Sequence, residues 1–186
     1  MSCCPVPIPF GTLVEYWLGE LTADAEQRVE EHFLDCTSCS ALLEALAALH
    51  QGIRAAFEKG AIHAVISVPF LATMKERGMR LREYPVAPDE SVHCTITAAD
   101  HAVIGRLKAP LAGLGRVDLV GMDEAGVLVF RLDDVPFEPA TGEVLFCPAA
   151  AALKQMPAHT ERLRLLAIEK DGERAIADYT FFHTPS

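Results

Sequence analysis

Basic residues are almost missing from the first third of the chain. Between residues 1 and 58 only Arg28 and Arg54 stand against nine acidic residues, so −7 of the formal net charge of −10 lies there. A segment of that sign gains nothing from displacing counterions on a phosphate backbone, which excludes direct DNA or RNA binding; a basic protein partner suits it better. Long apolar runs are missing too: the longest, residues 41 to 49, is broken by Glu44 and falls well short of the roughly 18 residues a membrane span needs. No basic residue precedes Cys3, so neither a signal nor a transit peptide is expected, and the protein is expected in the cytoplasm.

Catalytic signatures are also lacking. There is no nucleophile elbow, phosphate loop or dinucleotide fingerprint, because the glycines at Gly113 and Gly115 do not open a helix after a strand. Asp133, Asp134 and Glu138 read as carboxylates of solvated loops. An enzyme is therefore not expected. No internal repeat or low-complexity tract occurs, and with 51% hydrophobic and 23% charged residues the chain is an ordinary globular one.

What the chain does have is cysteine, six in all, four of them within the first 39 residues. A reducing compartment makes metal binding or redox chemistry a better reading than a disulfide framework. His32, Cys36 and Cys39 form a His-x3-Cys-x2-Cys stretch. If the stretch is helical to Cys36, His32 and Cys36 stand one turn apart and Cys39 follows at the next i+3 position. Zinc in a closed structural site takes four nitrogen or sulfur ligands. The upstream candidates for the fourth are Cys3 and Cys4. Cys94 and Cys147 stand apart and read as plain buried cysteines.

The prolines of residues 1 to 9 favour an extended arm. Leu13, Tyr16, Trp17 and Leu18 then recur at helical spacing up to Gly19, and Thr22 caps a second helix that carries Val29, His32 and Phe33. Leu42, Leu43, Leu46, Leu49, Ile53 and Phe57 continue a stripe through a third helix over about residues 39 to 58. Residues 61 to 68 read equally as linker or helix. A further amphipathic segment, residues 67 to 77, carries Phe70, Leu71 and Met74.

From Arg80 the period changes to two. Strands are predicted at 80–86, 91–97, 101–108, 116–122, 127–132, 143–147, 162–169 and 174–182, with turns at Asp123 to Gly126 and at Asp171-Gly172. The fold class is thus α+β: a small all-α zinc-binding domain at 1–58, a linker and amphipathic helix at 59–79, and an antiparallel β-sandwich or small barrel at 80–186.

The segment from Leu13 to Leu21, followed by His32, Cys36 and Cys39, resembles the zinc-binding anti-sigma factor family over about residues 3 to 58. The resemblance implies one structural zinc held by His32, Cys36 and Cys39, with Cys4 as fourth ligand and Cys3 as its alternative. Either cysteine lies further upstream of Tyr16 than the family pattern, so the proline-rich arm must loop out. The resemblance also implies a partner, an extracytoplasmic-function sigma factor, released on a redox or other stress signal. A three-helix module cannot hide all its apolar residues, so Leu13, Tyr16, Trp17, Leu18, Leu21 and Leu46 are expected at the sigma-factor contact, with Phe70, Leu71 and Met74 joining them or packing on the β-domain. Some members carry a C-terminal cupin-like sensor domain. A cupin metal site wants a His-x-His pair, absent here, so a second metal is not expected. The alternative reading makes the zinc domain a docking handle for a ligand-binding or catalytic β-domain, whose pocket would be lined by His93, His101, Glu143 or His183.

Overall fold

The computed structural model describes residues 4–59 and 63–185. The chain divides into two compact units, Met1–Ala55 and Ala56–Ser186. The first is helical: α1 (Phe10–Leu18), α2 (Ala23–Asp35) and α3 (Thr37–Glu58), whose last turn reaches into the second unit's span. Gly19 ends α1 at φ 70°, the left-handed conformation a helix stop needs, and its neighbour's N–H closes on the Glu15 carbonyl. Thr22 sits at the start of α2 in extended conformation, but its side chain makes no capping bond.

The second unit contains β1 (Ala64–Ile66), α4 (Val68–Glu76), β2 (Leu81–Val86), β3 (Ser91–Ile96), β4 (Ala102–Lys108), β5 (Val117–Met122), β6 (Leu128–Leu132), β7 (Glu143–Cys147), α5 (Ala150–Leu153), β8 (His159–Glu169) and β9 (Gly172–Pro185). These form a four-stranded sheet in the order β1-β7-β4-β2 and a five-stranded sheet in the order β3-β9-β8-β5-β6. Among the described residues the chain is thus mixed α+β, with five helices and two sandwich-like sheets.

The sheets share one core because strand side chains alternate. Leu107 of β4 and Phe146 of β7 point in from the first sheet, and Leu119, Leu163 and Tyr179 point in from the second. Tyr179 is buried whole, and its hydroxyl donates to the Lys108 carbonyl at 2.6 Å. The opposite face of β4 and β7 (Ala102, Ile104, Leu145 and Cys147) is covered by Leu71 and Met74 of α4. That is why β7 is buried along its whole length.

Three expectations change here. The sheets are not purely antiparallel, since β2 pairs with β4 and β3 with β9 in parallel. The stretch at 59–79 joins the second unit: β1 pairs antiparallel with β7, and α4, capped by Ser67 through a bond from the Phe70 N–H at 3.3 Å, lies on the sheet. Leu71 and Met74 are therefore core residues of this unit rather than a surface for a partner, while Phe70 stays exposed.

Two buried carboxylates brace the sandwich. Asp100 accepts from the Arg82 guanidinium at 2.8 Å and from the Thr97 N–H at 2.7 Å, which holds it well below the usual carboxylate range. Burial alone would raise Asp118, but bonds from Arg116, the Asp134 N–H and Arg131 overcome it and lower the group.

Leu71→Ala should lower the unfolding free energy of the second unit by about 2–4 kcal/mol, since it opens a cavity under α4; chemical denaturation checks this, and a loss under roughly 0.5 kcal/mol would return Leu71 to the surface. Asp100 and Asp118 have folded pKa values below their unfolded ones, so their contribution is complete above about pH 4 and fades as pH falls below it. Thermal melts from pH 6 to pH 2.5 should show a drop that Asp100→Asn flattens.

Candidate metal centre

The four soft ligands come from four places in the helical unit. Cys4 lies on the extended arm before α1, His32 in the last turn of α2, Cys36 at the break between α2 and α3, and Cys39 in the first turn of α3. Helix α2 ends at Asp35, one residue before the expected limit, because Cys36 takes up extended φ −125° and ψ 93°. The kink lets α3 start at Thr37. Ser40 fastens the corner, its hydroxyl donating to the carbonyls of Phe33 at 3.2 Å and Cys36 at 3.1 Å.

The ligand atoms of Cys4, His32, Cys36 and Cys39 all lie within 4.8 Å of one another. His32 Nε2 is 3.6 Å from Cys4 Sγ and 3.3 Å from Cys39 Sγ. A tetrahedral zinc with sulfur at about 2.3 Å and nitrogen at about 2.0 Å spaces its nitrogen–sulfur edges at about 3.5 Å, so the two measured edges are of the size one such ion needs. The cluster can hold one metal ion, and its donor set is consistent with zinc. Cys3 lies outside the described residues.

The electrostatics suit deprotonated sulfur. The Cys39 N–H directed at Cys36 brings the Cys36 thiol down to about 7 against the cost of burial, with further help from the neighbouring Cys4, Cys39 and His32 side chains. Burial and the adjacent Cys36 push Cys4 the other way. Three thiol sulfurs gathered around one imidazole are a donor set that a cation would satisfy. Cys39 is fully buried, while Cys4, His32 and Cys36 keep some exposure.

Around this cluster the helical unit buries few apolar side chains: Leu13 on α1, Val29 on α2 and Cys39 on α3 are those fully buried among the described residues. Tyr16 meets Phe33 edge to face at 5.5 Å. Of the expected partner contacts, Leu13 is thus the module's own core, Tyr16, Leu21 and Leu46 are half-buried, and Trp17 and Leu18 are exposed. Leu42, Leu49 and Ile53 are also exposed, and with Leu46 they fall on one stripe of α3.

In the second unit the anticipated pocket residues do not gather. His93 is exposed and stacks on Phe182, and the exposed His101 accepts from the Arg80 N–H at 2.7 Å. Glu143 is buried against Arg106 and Lys108, both at 2.6 Å. His183 lines one cavity, in company with Cys94, His159 and Glu161, and Glu143 lines a separate one beside Pro69 and Phe137. Cys94 and Cys147 are buried as expected, and burial pushes both thiols up to about 11. Sequence reasoning missed Glu161 and His63, which no local motif marks.

Metal analysis of the purified chain should give one zinc per protein, and Cys39→Ser or His32→Ala should each abolish it. A full equivalent retained in both variants would place the metal elsewhere.

No protein-family model matches the chain, and no characterised protein matches it either. Among solved structures, the N-terminal domain of phage TP901-1 ORF48 is similar at a TM-score of 0.37 with 10% identity, covering 57% of this chain and 99% of that one. CopC from Methylosinus trichosporium OB3b is similar at a TM-score of 0.30 with 14% identity, covering 53% and 85% respectively. At these values neither likeness carries a fold or a function across.

Proposed function

We propose that the helical unit is a zinc-bound anti-sigma module that sequesters an extracytoplasmic-function sigma factor in the cytoplasm. The observation that carries this reading is the coincidence, in one small unit, of a four-ligand cluster with an exposed apolar surface. Trp17 and Leu18 on α1 and Leu42, Leu49 and Ile53 on α3 stay exposed, with Leu46 half-buried between them, where an isolated domain gains nothing from leaving them so. The acidic charge around them suits a partner with a basic docking face. Leu13, Leu71 and Met74 take no part in this contact, because they are core residues.

Zinc holds the contact surface in shape by tying the arm and α2 to α3. Release follows from oxidation: two of the thiolates give two electrons to a peroxide, a sulfur–sulfur bond forms, and zinc leaves a site reduced to two ligands. Partial exposure of Cys4 and Cys36 lets an oxidant in.

Co-expression with an extracytoplasmic-function sigma factor of the same genome should give a stable complex with zinc-loaded protein. Leu49→Glu, a surface change, should weaken that complex by about tenfold or more while zinc stays bound. Absence of any complex with the metal-loaded chain rejects the proposal. Zinc lost on peroxide treatment with the complex intact rejects the release step alone.

A further inference from the structure

The second unit holds a cavity of about 340 Å³, where the ends of β5 and β6 meet α5 and the start of β8. That volume is within the roughly 300–1,000 Å³ of small-molecule sites. Met122, Phe130, Leu153 and Met156 give it apolar walls. Its polar lining holds Asp123, His63, His159, Thr160 and Glu161, and no lysine or arginine is among the lining residues.

The state of each group follows from its neighbours. His159 Nδ1 is 2.9 Å from the Pro157 carbonyl, which can only accept, so Nδ1 carries the proton and Nε2 offers a lone pair. His63 stacks on Phe130 with ring centroids 4.0 Å apart; burial favours its neutral form, and its Nδ1 is buried with no partner among the described residues. Glu161 is the sharpest case. Burial pushes its carboxyl up to about 7, and no cation or hydrogen-bond donor among the described residues offsets that cost. A carboxylate that lines an apolar cavity with no cation among the described residues to meet it, beside an unpartnered His63 Nδ1, suits a ligand that brings donors and positive charge.

We infer that this cavity binds a small organic amine in its ammonium form, the ammonium on the Glu161 carboxylate and the apolar body against Phe130, Leu153 and Met156. A carboxylate ligand meets the Glu161 carboxylate with no lysine or arginine in the lining to offset it, and a bare metal ion leaves the apolar walls in water. The inference does not depend on the partner of the helical unit.

Calorimetric titration of the full-length protein at pH 7.5 with benzylamine, benzyl alcohol and benzoate separates charge from shape. Benzylamine should bind about tenfold or more tightly than benzyl alcohol, and benzoate should bind weakest. Glu161→Gln should remove the advantage of the amine, leave the alcohol unchanged, and keep or raise the melting temperature, since an unpartnered carboxyl is gone. Met156→Trp, at an exposed rim position, should fill the cavity and weaken benzylamine by about tenfold whatever Glu161→Gln does to folding. Equal affinity for amine and alcohol, preference for benzoate, no binding of benzylamine, or full affinity in Met156→Trp would each overturn the inference.

Discussion

The helical unit depends on one point of convergence, the four ligand atoms of Cys4, His32, Cys36 and Cys39. Three short helices whose fully buried apolar side chains, among the described residues, are Leu13, Val29 and Cys39 have little core to fold around. Each such side chain contributes about 1.5–3 kcal/mol, whereas a structural zinc contributes about 10 kcal/mol or more at neutral pH. A zinc ion held there would therefore outweigh the packing. It would join segments that hydrophobic burial leaves loosely connected: the arm, the end of α2 and the start of α3. The same arithmetic explains how the exposed stripe on α3 is tolerated, because a module held by coordination need not bury every apolar residue it carries.

The second unit is stabilised in the opposite way. Its two sheets interlock through a single apolar cluster, α4 seals the outer face of the smaller sheet, and buried carboxylates are matched by guanidinium groups. Against that background Glu161 stands out. Asp100, Asp118 and Glu143 are all buried and all met by arginine, yet Glu161 is met by none among the described residues. A fold that pairs its buried acids and leaves this half-buried one lining an apolar cavity has left a place for something else.

Much of this was legible in the sequence, for reasons specific to each element. The strands from β2 to β9 alternate apolar and polar residues, or run apolar between clear turn residues, and Asp171-Gly172 does separate β8 from β9. Three of the four ligands could be read because they lie within eight residues of one another. The arm is another matter: adjacent cysteines before several prolines give no local reason to prefer one, and tertiary placement brings Cys4 to the cluster. Strand β1 was illegible because it has three residues, all half-buried, too few to show a period. The parallel pairings are long-range choices that alternation does not encode. The cavity groups His63 and Glu161 are separated by almost the length of the β-unit, and only the fold brings them to one wall.

Hydrogen exchange on the full-length protein, compared with and without zinc, tests the central claim most directly. If coordination holds the helical unit together, stripping the metal will collapse amide protection across α1, α2 and α3 while β4, β5, β7 and β8 keep theirs. Unchanged protection in α1 to α3 after complete removal of zinc would contradict the account.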